Sequence, residues 1–268
     1  MGLNTTRSDT IKYTRLAAKG GDVEKQLDMG IYSITGTNGV QQNFMEANKW
    51  VAMAAEKNDP NAQFNLGLSY EAGLGVEKDI KRAIYWYEKS AAQGHIIACH
   101  NLGVIFQFGS DDERAFINYE KAIEYYTKAA ETDFPPSQCN LGFMYLVGLG
   151  VEMDAAKAVS LFIPAAEQNI PQALFHLGWC LDNGLGIEEN LERAFECYQL
   201  SAKDGFPIAQ HNLSLMYLDG RGTEKNDELA NYWLNVAANC GLASSKKLLA
   251  ILAKAKRFPF ASQNKQSH

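Results

Sequence analysis

Five histidines and five cysteines are the side chains of this 268-residue chain best suited to hold a metal ion or to serve as nucleophile and base. Their spacing supports neither role, since no cysteines form a C-x-x-C pair and no histidines lie four residues apart. We expect buried or unreactive thiols, no disulfide and no metal, with a metal site assembled from distant segments as an open alternative. The residues are His95, His100, His176, His211 and His268, with Cys99, Cys139, Cys180, Cys197 and Cys240.

Glycine-x-glycine loops recur in the chain, and such loops bind phosphate in some enzymes. Here they lack a preceding strand, a correctly placed third glycine and a P-loop lysine, so we interpret them as structural turns. Nearby carboxylates such as Glu77 and Asp79 are interpreted as helix caps and solvated charge. We therefore predict that the chain is not an enzyme and has no cofactor. The loops are Gly73-Leu74-Gly75, Gly148-Leu149-Gly150, Gly184-Leu185-Gly186 and Gly220-Arg221-Gly222.

Composition narrows the class of protein and of partner. The chain is 46% hydrophobic and 21% charged, values typical of a folded protein, and its net charge is −6. This acidity gives no electrostatic reason to bind nucleic acid or an anionic membrane. No apolar stretch approaches the roughly 18–20 residues of a membrane span, and Met1–Asp9 lacks the apolar core of a signal peptide. We expect a cytoplasmic protein.

Two sequence markers recur together with a period near 36 residues. One is Leu-Gly, and the other is a pair of small residues, and both show the same single longer step of 39 residues. The small-residue pairs are Ala17-Ala18, Ala54-Ala55, Ser90-Ala91, Ala129-Ala130, Ala165-Ala166, Ser201-Ala202 and Ala237-Ala238. This agreement over nearly the whole chain identifies a repeat array. The Leu-Gly markers are Leu66-Gly67, Leu102-Gly103, Leu141-Gly142 and Leu177-Gly178, with degenerate forms at Met29-Gly30 and Leu213-Ser214.

Each period is predicted to form two helices. Prolines such as Pro60 and Pro171 fit the first turn of the first helix, and the glycine pair ends it. An Asp or Asn, for example Asp79 or Asn190, then stands where an N-cap would open the second helix. Because neither helix buries its apolar face alone, stacked neighbours must supply a shared core, which is the logic of a solenoid.

The pattern resembles the Sel-1-like repeat family, a relative of tetratricopeptide repeats. Residues Ala62 to Gly94 match its Ala-x-x-x-Leu-Gly-x-x-Tyr and Ala-Ala-x-x-Gly elements almost completely. The resemblance implies an all-α, right-handed α-solenoid of about six helix-turn-helix repeats, with an N-terminal half repeat and a C-terminal capping helix. We predict one domain over 10–256 between flexible segments 1–9 and 257–268. The predicted repeats are 22–58, 59–94, 95–133, 134–169, 170–205 and 206–241.

The first helix of each repeat carries two rows of candidate binding residues. The residue before each Leu-Gly leucine is mostly an amide, and carboxamides suit an extended peptide backbone because they both donate and accept. The resemblance implies that this helix lines a concave groove. The alternative is that the asparagines bond to a neighbouring repeat. This amide row consists of Asp28, Asn65, Asn101, Asn140, His176 and Asn212.

Mostly apolar positions flank the amide row. Phe175 and Trp179 lie four residues apart, so they share a helix face and would anchor a partner if exposed. The alternative is that this stripe belongs to the core. If exposed, His176 would titrate near neutrality and favour an acidic partner below about pH 6.5. The predicted partner-binding residues are Phe64, Asn65, Asn101, Asn140, Phe143, Phe175, His176, Trp179 and Asn212.

We therefore predict a non-catalytic adaptor or scaffold that binds a protein or peptide in its groove. The resemblance implies a regulator, an assembly factor or a toxin-neutralising (immunity) protein without naming the partner. The competing hypothesis is an enzyme or a small-ligand-binding protein with a site between repeats. A closed pocket that pairs His176 or His211 with an acid or a thiol would favour the competing hypothesis.

Overall fold

The computed structural model of the protein describes residues 7–110 and 114–254, and every regular element in these ranges is helical. The chain divides into two compact units between Thr132 and Asp133. The first contains α1 (Arg7–Lys19), α2 (Val23–Thr35), α3 (Phe44–Glu56), α4 (Pro60–Ala72), α5 (Ile80–Ala91), α6 (Ile96–Phe108), a 3-10 helix (Arg114–Phe116) and α7 (Tyr119–Ala130). The second contains α8 (Pro135–Val147), α9 (Ala155–Glu167), α10 (Pro171–Asn183), α11 (Leu191–Lys203), α12 (Pro207–Asp219), α13 (Asp227–Asn239) and α14 (Ala243–Lys254).

Consecutive helices pack as pairs, each made of the first and second helix of one repeat. The pairs are α2–α3, α4–α5 and α6–α7 in the first unit, and α8–α9, α10–α11 and α12–α13 in the second. This arrangement confirms the prediction of an all-α solenoid of helix pairs. The single-domain boundaries stay a prediction. Helix α1 begins at Arg7, inside the segment 1–9 predicted to be flexible, and residues 1–6 and 257–268 lie outside the described residues.

Helix ends form where the sequence signals them. In all six pairs, an Asn or Asp caps the second helix and accepts a hydrogen bond from the backbone N–H three residues later. Prolines open α4, α8, α10 and α12, where a missing N–H costs nothing. The same four helices end at glycines with φ between 64° and 70°, a left-handed conformation that favours glycine. The capping residues are Asn43, Asp79, Asn118, Asp154, Asn190 and Asn226.

The glycine of each Leu-Gly marker faces a buried aromatic ring on the second helix of its pair. A Cβ atom at Gly142 would lie 2.6 Å from Cε1 of Phe162, closer than non-bonded carbon atoms approach. The same overlap would occur between Gly67 and Tyr87, at 2.6 Å. Glycine is therefore required for the two helices to approach with the ring between them. The contacts are Gly67–Tyr87, Gly103–Tyr126, Gly142–Phe162 and Gly178–Tyr198.

The small-residue marker has two separate structural uses. Where its first member is serine, the hydroxyl forms a hydrogen bond between the two helices of one repeat. Ser90 Oγ donates to the Pro60 carbonyl and Ser201 Oγ donates to the Pro171 carbonyl, each at 2.7 Å. The carbonyl of its second member accepts a hydrogen bond from a buried glutamine of the next first helix. These bonds join Gln26 to Ala18, Gln63 to Ala55 and Gln210 to Ala202, at 3.0, 3.3 and 3.1 Å.

Gly142→Ala is expected to destabilise the fold by roughly 1–3 kcal/mol, because the added methyl group overlaps the Phe162 ring. The last repeat offers a natural compensation, since Ser214 takes the glycine position and Leu234 takes the ring position. The double variant Gly142→Ser, Phe162→Leu reproduces that pair and should recover most of the loss. Urea denaturation of wild type, Gly142→Ala and the double variant measures these differences in the free energy of unfolding. Wild-type stability of Gly142→Ala would show that the packed face is misassigned.

Candidate functional site on the first helices

All nine predicted binding residues lie on first helices, and they differ in exposure. Trp179 is 37% exposed, and the other eight are half-buried. On the same helices, Val147 and Ile208 are exposed by 50% and 43%. Helices α8 and α10 are in direct contact, so the first helices form one side of the second unit. We call the exposed surface of α8, α10 and α12 the first-helix face of the second unit.

The amide row contacts the aromatic residue that also faces the marker glycine. Asn101 Nδ2 donates to Tyr87 Oη at 3.4 Å, and Tyr87 Oη donates in turn to the Glu71 carboxylate. Tyr87 lies on the second helix of one repeat and Asn101 on the first helix of the next. At Asn101 the asparagine therefore bonds to a neighbouring repeat, as the structural alternative expected.

The second unit repeats this arrangement around Tyr198. Burial raises the pKa of Tyr198, and the Asn212 amide opposes the effect while the Asp182 carboxylate adds to it, so both groups face the hydroxyl. The hydroxyl is buried and has no hydrogen-bond partner at normal distance among the described residues. Asp182 also forms an ion pair with Arg221, which lies in the loop after α12. Burial raises the pKa of Asp182, and the Arg221 charge opposes that shift.

His176 replaces asparagine in the amide row where Phe162 replaces tyrosine. The imidazole stacks on the Phe162 ring with centroids 5.1 Å apart and planes 16° apart. Phe143 and Phe175 lie 5.5 and 5.1 Å from it. Burial lowers the pKa of His176 to about 4. The condition for His176 to titrate near neutrality, exposure of its imidazole to solvent, is therefore not met, because three phenylalanine rings surround it.

In the first unit, the predicted residues Phe64 and Asn65 have different surroundings. The Phe64 ring stacks on His95, with centroids 4.5 Å apart, and lies 5.7 Å from Tyr87, so it contributes to packing. Asn65 follows a repeat that has Val51 at the tyrosine position. Within the described residues its side chain forms no hydrogen bond, so its amide is available to a ligand.

The glycine-x-glycine loops contact protein backbone. A Cβ atom at Gly186 would overlap the carbonyl group of Ala155, and one at Gly222 would overlap that of Leu191. These two glycines, and Gly75 against Phe44, therefore pack on the start of the preceding repeat's second helix, as expected of a structural turn. Shallow pockets beside these loops are lined by the same kinds of residue, for example Tyr70, Glu77, Asp79 and Arg82.

One histidine contacts a hydroxyl. His211 Nδ1 lies 2.9 Å from Ser245 Oγ, the type of contact that a nucleophile and its base make. Ser245 is fully buried, however, so no substrate reaches its hydroxyl and the contact packs α12 against α14. Among residues 7–110 and 114–254, no group of three or more His, Cys, Asp or Glu is arranged to hold a metal ion. No helix in these ranges is long and apolar enough to cross a membrane.

Six Sel1 repeats match the chain at residues 26–59, 60–95, 96–132, 135–170, 171–206 and 207–242. The chain belongs to the Sel1 repeat family. Apart from the start of the first repeat, every predicted boundary lies within one residue of these limits. Sel1 repeats typically mediate protein–protein interactions.

Solved Sel1 structures share this fold. The crystal structure of c5321, a protective antigen present in uropathogenic Escherichia coli strains, aligns with a TM-score of 0.82 and 32% identity, covering 92% of this chain and 52% of that one. A Sel1 repeat protein from Oxalobacter formigenes aligns with a TM-score of 0.69 and 35% identity, covering 81% and 85%.

Curated relatives match over shorter stretches. An ERAD-associated E3 ubiquitin-protein ligase component, HRD3B of Arabidopsis thaliana, is 37% identical over 37% of this chain and 15% of its own length. Human cytochrome c oxidase assembly factor 7 is 33% identical over 41% of this chain and 50% of its own length. The matched region spans half or less of each of these relatives.

The contacts between the amide row and the aromatic residues of the second helices were not predicted, although the sequence contains a signal for them. Tyr87, Tyr126 and Tyr198 recur with the Sel1 period, and Phe162 interrupts them. This interruption precedes His176, the histidine that interrupts the asparagines. Such paired exceptions indicate contact between the two positions.

Acidification is expected to destabilise the Sel1 array in part through His176. Its folded-state pKa of about 4 lies below the unfolded value near 6.5, so the unfolded chain takes up the proton first. The stability that neutral His176 contributes is complete above about pH 6.5 and is lost as pH falls toward 4, by about 2 kcal/mol at about pH 5. Urea denaturation at about pH 7 and about pH 5 measures it.

The matched comparison is the double variant Phe162→Tyr, His176→Asn, which installs the pair found at Tyr198 and Asn212. Between about pH 7 and about pH 5, the free energy of unfolding of this variant should fall by about 2 kcal/mol less than that of wild type. The other buried histidines are common to both proteins and cancel in the comparison. Equal losses would contradict the buried, neutral state of His176.

Asn101 and Asn65 are expected to respond differently to removal of the amide. Asn101→Ala should cost about 1 kcal/mol, because Tyr87 Oη loses a hydrogen-bond donor. Asn65→Ala should leave stability nearly unchanged, since its amide has no such partner. In a Tyr87→Phe background the cost of Asn101→Ala should shrink, which a double-mutant cycle measures. Equal losses of stability for Asn101→Ala and Asn65→Ala would refute a stabilising hydrogen bond between Tyr87 and Asn101.

Proposed function

We propose that this chain is a non-catalytic adaptor that binds a protein or peptide partner on its first helices, with Trp179 as the main anchor. The predicted cytoplasmic location is part of the proposal. The observation that carries it is the partial exposure of Trp179 on a first-helix face that also exposes Val147 and Ile208. Large aromatic side chains that become buried on association dominate the energetics of interfaces.

Contacts within the protein engage three residues of the amide row, so fewer of the predicted residues are assigned to partner binding. Asn101 bonds to Tyr87, Asn212 faces Tyr198, and His176 is enclosed by phenylalanine rings. We therefore assign direct partner contact to Trp179 and, in the first unit, to Asn65. Phe143 lies on the same helix face as Val147, one turn earlier, and is half-buried, so it contributes the edge of the anchor site.

The biological role that we propose is that of an assembly factor or regulator. It is supported by the similarity to cytochrome c oxidase assembly factor 7 and to the yeast chitin synthase regulator SKT5, which is 34% identical over 34% of this chain. The toxin-neutralising role stays a prediction. The partner itself is to be identified by experiment.

Trp179→Ala is expected to weaken partner binding by about 2 kcal/mol or more while leaving helical content intact. The full chain and the variant are used in parallel as baits in the source lysate, and captured proteins are quantified by mass spectrometry. The captured partner is then purified, and its affinity is measured by calorimetry. Circular dichroism confirms that the variant is folded.

Tyr232→Ala is the matched control, because Tyr232 is an aromatic residue of a second helix and is 57% exposed. It should leave capture and affinity unchanged. Identical capture by wild type and Trp179→Ala, with both folded, would refute the first-helix site. Equal losses for Trp179→Ala and Tyr232→Ala would also refute it, since binding would then not be confined to one side.

A further inference from the structure

The first-helix face of the second unit has no basic side chain of its own. Helices α8, α10 and α12 together contain two ionisable acidic residues, Asp182 and Asp219, and no Lys or Arg. The second helices α9 and α11 carry both signs of charge. The second helix α13 resembles the first helices in this respect, since it also has no Lys or Arg.

Several groups near this face could supply positive charge. Lys225 in the loop after α12 and Lys246 and Lys247 on α14 are exposed, whereas two histidines and Arg221 are neutral or paired. Burial lowers the pKa of both His176 and His211, so both rings are uncharged near neutral pH. The Arg221 guanidinium, in the loop after α12, forms its ion pair with Asp182. Lys157 at the start of α9 donates to the neutral Tyr145 Oη at 2.7 Å and keeps its positive charge.

Negative charge concentrates where these helices end. Asp219 is the last residue of α12, is exposed, and forms no ion pair among the described residues. The carboxyl end of a helix also carries a partial negative charge from its backbone dipoles, which favours a cation. The loops that follow the three helices add the exposed glutamates Glu152, Glu188, Glu189 and Glu224, against Arg221 and Lys225.

This charge distribution selects among extended segments of a partner. An acidic segment or a free carboxyl terminus would lose hydration against a face without a cation to pair with it, which is costly. A neutral segment avoids the cost of desolvating an unpaired charge. A Lys or Arg at its end gains from the Asp219 carboxylate and the helix end.

We propose that the occupant of this face is an extended segment of a partner protein that places an apolar side chain against Trp179 and a Lys or Arg beside Asp219. The proposal rests on the proposed function, because it specifies the chemistry of the partner at that same site. It reverses the acidic-partner preference expected for an exposed His176.

Selection from a phage-displayed library of random dodecapeptides on the immobilised full chain tests the proposal. The selected peptides should be enriched in an aromatic or aliphatic residue and in Lys or Arg over Asp or Glu, relative to the unselected library. Selected peptides are then synthesised with blocked termini, and their affinities are measured by fluorescence anisotropy. Asp219→Lys should weaken these basic peptides by roughly three- to tenfold, and Asp219→Asn by less.

Glu228→Lys is the matched control, since it makes the same charge reversal at an exposed residue of the second helix α13. It should change affinity much less than Asp219→Lys does. Peptides that require Trp179 but show no basic preference would overturn this inference and leave the proposed function standing. Peptides that bind Trp179→Ala as tightly as wild type would refute the first-helix site itself.

Discussion

The close approach of a glycine to an aromatic ring governs the packing of the helix pairs. At Gly67, Gly103 and Gly142 a side chain of any size would occupy the space that the ring of the second helix fills. Because that ring is fully buried, it fixes both the distance between the helices and their rotation. The last pair uses Ser214 and Leu234 instead, which shows that the requirement is for complementary volume.

The same ring also connects one helix pair to the next. In the first unit, the Tyr87 ring faces Gly67 of its own pair, and its hydroxyl accepts a hydrogen bond from Asn101 of the following pair. In the second unit, Phe162 faces Gly142 and stacks on His176. In each of these two repeats, one aromatic side chain therefore connects three helices. The amides and the imidazole that reach it have less freedom to contact a ligand, whereas Trp179 keeps an exposed edge.

The helix pairs could be predicted from the sequence because their signals are local. Proline, the glycine pair and the capping Asn or Asp specify where each helix begins and ends, and the spacing repeats them. Exposure could not be predicted in the same way, because Trp179 and His176 lie on one helix and differ only in what other helices place near them. The three phenylalanine rings around His176 come from α8, α9 and α10. The charge that a helix face presents to a partner likewise depends on charged side chains of neighbouring helices and loops, as the ion pair of Asp182 with Arg221 shows.

The pairing of Phe162 with His176 has a consequence for how such arrays lengthen or shorten. Deleting residues 170–205, one helix pair, would bring Phe162 against Asn212 and separate both from their matched partners. A deletion from one glycine loop to the next removes α9 and α10, and with them both Phe162 and His176. In the shortened chain Gly142 faces Tyr198, and Tyr198 still faces Asn212. The unit that recombination can exchange without mismatch is therefore a second helix with the following first helix. Genetic exchange between such repeats is better tolerated at the glycine loops than at the turns between pairs.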